Sequence, residues 1–180
     1  IQDIHDELQV TDVIKHSSLK LASRTYLGTV KGGFWTKITL KNSSDKKQFL
    51  SLYNTLSGTN FIDVYLFKEN KQVSFHQLGD LQAQNKREEI SRFAMFTLLL
   101  DKNEEITIVS KMKNYYVYNV GWKIEKKSDF TYEEIQYLLY FGIFSGIMIL
   151  FAFYNFFTFQ ISKNLPYLIV SLNVLFTLLY

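Results

Sequence analysis

Phe34-Trp35-Thr36-Lys37-Ile38-Thr39-Leu40 follows the pair Gly32-Gly33 and alternates along its length. Successive side chains of a strand point to opposite faces, so Phe34, Ile38 and Leu40 share one face and Trp35, Lys37 and Thr39 the other. One aliphatic face and one mixed face is the pattern of a half-buried strand. The same period extends outward. Residues 48–56 set Leu50, Leu52 and Leu56 against Ser51, Tyr53 and Thr55. Residues 61–67 set Ile62, Val64 and Leu66 opposite Asp63 and Tyr65. Glu69-Asn70-Lys71 reads as a hairpin turn into a strand over 72–76. Residues 93–100 are almost continuously apolar, as a central strand buried on both faces would be. A turn at 101–104 leads to a strand over 106–109, and residues 115–124 set Tyr116, Tyr118, Val120, Trp122 and Ile124 on one face. About eight strands without a helix between residues 26 and 125 predict an antiparallel two-sheet β-sandwich of jelly-roll type. Residues 80–90 read as an exposed loop. Residues 1–25 stay open: 3–8 as a helical turn or tail, Asp12-Val13-Ile14 as a strand start.

Past this domain the composition changes. Every acidic residue precedes Tyr137, and beyond it the only charge is Lys163. Residues 138–161 are 24 uncharged positions, about 36 Å as a helix, enough to cross a hydrocarbon core of about 30 Å. Thr131 and Glu134 have capping-box spacing, with Phe130 and Ile135 as a hydrophobic staple, which predicts a helix start near Tyr132. Tyr137, Tyr140, Phe141 and Phe144 crowd one end and Phe156, Phe157 and Phe159 the other, as in interfacial aromatic belts. Ser162-Lys163-Asn164 breaks the run before a second apolar stretch with Pro166 in its first turn. The expected division is a β-sandwich over 1–130 and a membrane hairpin over 131–180. The bland alternative for the hairpin is a buried soluble one. Lys163 argues weakly that its turn is cytoplasmic, and Lys123, Lys126 and Lys127 argue the opposite. The missing initiator Met and the apolar end at Tyr180 read as cuts from a longer protein.

A net charge of +3, spread among scattered acids, lacks the basic stripe of a nucleic-acid binder. Absence of cysteine excludes disulfides, thiolate catalysis and cysteine-based zinc sites. His5, His16 and His76 do not stand at metal-ligand spacing, and there is no phosphate loop or nucleophile elbow. Glu88-Glu89 and Glu104-Glu105 read as solvated loop charges. No cofactor, metal site or enzymatic activity is expected in this chain.

Gly33 to Asn42 (GFWTKITLKN) resembles an early strand of the extracellular sensory domain of bacterial seven-transmembrane receptors with diverse intracellular signalling modules. Ile62 to Asn70 (IDVYLFKEN) looks like the next marked strand and turn, followed by Leu78-Gly79-Asp80. Phe153-Tyr154-Asn155-Phe156-Phe157 and Pro166-Tyr167 look like the first membrane helix and the start of the second. Lys37 stands where the pattern has arginine, and Asn70-Lys71 where a glycine is common. The resemblance implies a sandwich outside the bacterial cytoplasmic (inner) membrane, on the periplasmic or extracellular side, similar to carbohydrate-binding modules. Seven helices and a cytoplasmic output such as a diguanylate cyclase or histidine kinase would follow.

The expected function is therefore the input half of a receptor that takes a small-molecule or carbohydrate ligand, sits in a lipid bilayer, and could pair as a homodimer. The competing reading is a membrane-tethered carbohydrate-binding module of an envelope enzyme, without signalling. Trp35, Tyr65, Tyr53 and Tyr115 are the aromatic candidates for ligand contact, because ring faces stack on sugars and hold cations. Lys37 and Arg92 would supply polar contacts. The proposed set is Trp35, Lys37, Tyr65 and Arg92. Sandwich core or sheet face is the commoner role for such aromatics, and a surface salt bridge for such cations. Asn155, an amide in the middle of the membrane segment, should face another helix.

Overall fold

The computed structural model describes residues 1–15, 24–83, 89 and 91–179. His16, residues 84–88 and Ile90 of the expected loop lie outside the described residues. The chain divides into two units, Ile1–Lys127 and Ser128–Tyr180.

In the first unit, β1 (Gln2–Asp3) and the short helix α1 (Val10–Lys15) precede β2 (Tyr26–Gly28) and β3 (Gly33–Lys41). There follow β4 (Gln48–Asn54), β5 (Phe61–Lys68), β6 (Lys71–Leu78), β7 (Met95–Leu100), β8 (Glu105–Lys113), β9 (Tyr118–Asn119) and β10 (Trp122–Lys126). One antiparallel sheet has the order β1-β3-β8-β5-β6, a second β10-β4-β7, and a two-stranded ribbon pairs β2 with β9. The alternation read from the sequence decides which faces meet. Ile62, Val64 and Leu66 of β5 and Ile106, Ile108 and Met112 of β8 pack against Leu52 of β4 and Phe96, Leu98 and Leu100 of β7 in one core. Each such aliphatic or aromatic side chain removed from water contributes roughly 1.5–3 kcal/mol.

Three sequence expectations are corrected. The apolar run ending in Leu100 is not a central strand: β7 is an edge, and Leu99 is 52% exposed opposite Phe49. The central strand of that sheet is β4. The single strand expected over 115–124 is broken. Tyr115 and Tyr116 stand exposed, β9 holds two residues, and β10 begins only at Trp122. Buried Asn54 accounts for the corner, since its amide donates to the Asn119 and Gly121 carbonyls at 2.8 and 3.0 Å. Those carbonyls are thereby satisfied away from a ladder. Finally, Asp12-Val13-Ile14 belongs to α1, with Asp12 accepting from the Gln9 amide at 3.0 Å.

The β5–β6 turn is as tight as a hairpin allows. Lys68 pairs with Lys71, and Glu69 and Asn70 both have positive φ, 48° and 63°. That is the two-residue turn whose twist matches its strands. Gly79 cannot be replaced cheaply: its φ is +123°, and a Cβ there would stand 2.2 Å from the Asn60 carbonyl oxygen.

α2 spans Lys127–Ser162 and α3 Leu165–Leu179. The helix starts about a turn before the position the capping box predicts, directly after β10, so Thr131 lies inside it rather than at its cap. Asp129 in the first turn suits the positive end of the helix dipole. α2 is long and apolar enough to cross a membrane, and α3 is apolar but shorter. The polar break closes α2: Lys163 takes φ 53° and its amide donates to the Phe159 carbonyl at 2.8 Å. Within this unit Ala152, Asn155 and Ser171 are buried, and the Ser171 hydroxyl donates to the Ala152 carbonyl at 2.9 Å. The Asn155 amide donates to Phe151 on its own helix at 2.9 Å. Nearly all other apolar side chains of α2 face outward, as a lipid solvent requires.

Candidate functional site

The outward face of the five-stranded sheet carries two adjoining zones, set by register. Trp35, Lys111, Asp63 and Gln77 form one row across β3, β8, β5 and β6. Lys37, Val109, Tyr65 and Phe75 form another.

The zone around Tyr65 and Val109, with Trp35 at its edge, is covered. α1 and the residues before it lay Leu8, Val10, Val13 and Ile14 over Trp35, Tyr65, Phe67 and Val109. Trp35 is only 3% exposed, and its indole N–H donates to Asp3 at 3.1 Å. Its ring stacks on Tyr65 with centroids 6.2 Å apart, and Tyr65 meets Phe75 at 4.9 Å. Lys37 donates to the Ile14 carbonyl at 2.9 Å. Trp35, Lys37 and Tyr65 are thus brought together, but beneath α1. The mixed face that Trp35 shares with Lys37 is therefore not open at this point: the N-terminal helix supplies the cover. Arg92 lies apart, over the Phe93 ring at 4.7 Å, beside a small cavity of about 90 Å³ bounded by Ser57, Gly79 and Asp80. Tyr53 is buried against Phe93, with ring centroids 5.0 Å apart.

The zone around Lys111, Asp63 and Gln77 is open. Beyond the cover lies a cavity of about 640 Å³, walled by Lys111 and Lys113 of β8, Phe61 and Asp63 of β5, Gln77 of β6, Asp6, and Asn60, Asn114 and Tyr115 from the loops. Tyr115 is 71% exposed at its rim. Asn60 anchors the loops. Its amide donates to Asp80 at 3.1 Å, and its oxygen accepts the Tyr115 backbone amide at 2.9 Å. The Asn114 amide group donates to the Val117 and Gly58 carbonyls, and Tyr118 accepts from the Asn114 backbone. The Gln77 amide reaches Asp63 at 3.3 Å.

Lys111 and Lys113, two apart on β8, both pair with Asp6. Those two bonds hold the Asp6 carboxyl below the usual carboxylate range, and the bond to Asp6 raises Lys113 above its ordinary value. Lys111 also sits over the Trp35 ring at 5.1 Å. Burial alone would raise Asp3. Its bonds from Trp35 and from the Glu7 and Leu8 amides outweigh that and leave the carboxyl lowered. Among the described residues no group of three His, Cys, Asp or Glu side chains is placed to hold a metal ion.

Of the ligand-contact candidates from sequence, Tyr115 lines this cavity, and Trp35, Lys37, Tyr53, Tyr65 and Arg92 do not. Asp6 and Asn60 lie in connecting segments that carry no periodicity, and Lys111 and Lys113 escape the sequence reading because the strand read over 106–109 runs to Lys113. Following its alternation four residues further would have put both lysines on the outward face beside Trp35.

The first unit is thus a mostly β domain with an open polar cavity on one outer sheet face, continued in the chain by a helix long and apolar enough to cross a membrane. The 7TMR-DISM extracellular 2 family model matches residues 1–126, and the chain belongs to that family. No curated protein matches it. The family places this domain outside the membrane, as a receptor's sensory part.

Proposed function

We propose that this chain is the input half of a receptor in the bacterial cytoplasmic membrane. A small extracytoplasmic ligand enters the cavity at Tyr115, Asn60, Gln77, Lys111 and Lys113, and its binding biases the helices toward a cytoplasmic output. The cavity carries this reading: it is solvent-open, sized for a small molecule, and combines an exposed aromatic with convergent amides and charges. A sugar is the favoured ligand class, because a tyrosine face flanked by amide donors suits a ring edged with hydroxyls. The chain passes from one sheet to the other at β3–β4, β4–β5, β6–β7 and β7–β8, which supports a jelly-roll-like reading of the sandwich. In this reading Trp35, Lys37 and Tyr65 build the floor beneath α1, and Arg92 serves the smaller cavity.

The test is binding to the chain in lipid nanodiscs, by tyrosine-selective NMR, with glucose, glucuronate and free amino acids as probes. Perturbation of Tyr115 that disappears in Gln77→Ala, with the fold retained, supports the cavity. Perturbations confined to residues outside it sink the proposal.

A further inference from the structure

The cavity already holds a carboxylate, that of the chain itself. Asp6 reaches in from the loop between β1 and α1 and pairs with both Lys111 and Lys113. The base of that loop is fixed independently. Asp3 accepts the Glu7 and Leu8 amides and the Trp35 indole, and β1 is paired with β3. The crown, Ile4 to Asp6, is exposed. Asp6 adopts a φ of +62°, a left-handed conformation unfavourable for a side-chain-bearing residue and held here by its partners. Lys111 keeps only 16% of its side chain exposed, so removing Asp6 would leave a largely desolvated ammonium.

We propose, building on the cavity reading above, that the ligand is a small carboxylate-bearing molecule that takes the place of Asp6 on Lys111 and Lys113. The ligand carboxylate accepts from the two ammonium groups, and Asp6 leaves for water. The loop crown relaxes while its base stays fixed by Asp3. Neither lysine loses a partner in the exchange, so the desolvation of Lys111 is compensated in both states. Asp63, in register with Lys111, remains as a fixed negative charge beside the pair. It disfavours polyanions and leaves room for a single negative charge. Because Asp6 competes from within, wild-type affinity is reduced by the fraction of molecules in which Asp6 has vacated the lysines.

The experiment measures thermal unfolding of the sandwich in the whole chain, in nanodiscs, at constant ionic strength. Acetate, glucuronate, glucose and inorganic phosphate are the probes. In Asp6→Ala, acetate and glucuronate should raise the transition saturably, with an apparent affinity at least tenfold tighter than in wild type. Adding Lys111→Met and Lys113→Met to Asp6→Ala should abolish the response. Equal responses in wild type and Asp6→Ala would overturn the exchange, and phosphate acting in place of the carboxylates would overturn the ligand class. Glucose perturbing Tyr115 while neither carboxylate responds overturns this inference and leaves the cavity reading intact. Response to no probe in Asp6→Ala, while that variant stays folded, overturns it as well.

Discussion

Trp35 and Tyr115 show how two aromatic residues from one list acquire opposite roles. Trp35 lies on the face that alternation assigns, yet α1 seals it, and its one polar atom is spent on Asp3. Trp35→Ala should therefore cost about 3–5 kcal/mol in denaturant unfolding, as for other buried aromatics. Tyr115→Ala should stay within about 0.5 kcal/mol of wild type, as an exposed position does. Reversal of the two would mean the site lies under α1. The carboxyls of Asp3 and Asp6 give a pH prediction. Both are lowered in the fold, so their stabilisation is complete above the unfolded value near 3.9 and is lost as pH falls through the lower folded values. Stability should decline below about pH 4, and less steeply in Asp6→Asn than in wild type. An unchanged slope would show that Asp6 does not couple to folding. That Trp35 would share a face with Lys37 was legible from seven residues. That Asp6 would meet Lys113 was not, because the pair stands 107 positions apart and only the β3–β8 register brings them together.

Local patterns predicted the elements well wherever the neighbours agreed with them. The Glu69–Asn70 turn is the clearest case, since asparagine tolerates the left-handed region and two strands of matched alternation flank it. Asn70→Val should cost about 1–2 kcal/mol, the penalty of a β-branched residue at positive φ, and Glu69→Gly should be stabilising. Both are checked by urea unfolding. Elements were misread where a partner distant in sequence intervenes. β7 looks central by composition, but among the described residues no strand flanks its other side, which leaves Leu99 in the open. The corner at Val120-Gly121 depends on Asn54, more than sixty positions earlier, and no pattern within residues 115–124 announces it. In the helical unit, Ser171→Ala removes the bond to Ala152 and should weaken hairpin packing by about 0.6 kcal/mol, the usual size for a hydroxyl bond in lipid. Ser171→Leu should weaken it further by filling a buried position. Steric trapping or hairpin dissociation in detergent would measure both.

At the scale of the whole molecule, the family places the sandwich outside, and α2 offers one crossing. Ser128→Cys should label from outside intact cells, and Lys163→Cys only after the membrane is opened. The opposite pattern would invert the arrangement. The sheet order also constrains how the domain is made. Among the described residues, β5 and β6 are the only two strands consecutive in the chain that pair with each other. β3 waits for β8, and β4 for both β7 and β10, which is the last strand before α2. A chain delivered across the membrane from its N-terminus therefore emerges with most of its ladders unfinished, their edges open to wrong partners until β10 arrives. Such nonlocal pairing folds in milliseconds to seconds rather than microseconds, and open edges are where aggregation begins. The strand that completes the three-stranded sheet runs without an intervening residue into α2. The last piece of the sandwich to emerge is thus the piece joined directly to the apolar helix, so the ladders are completed only as that helix begins to follow.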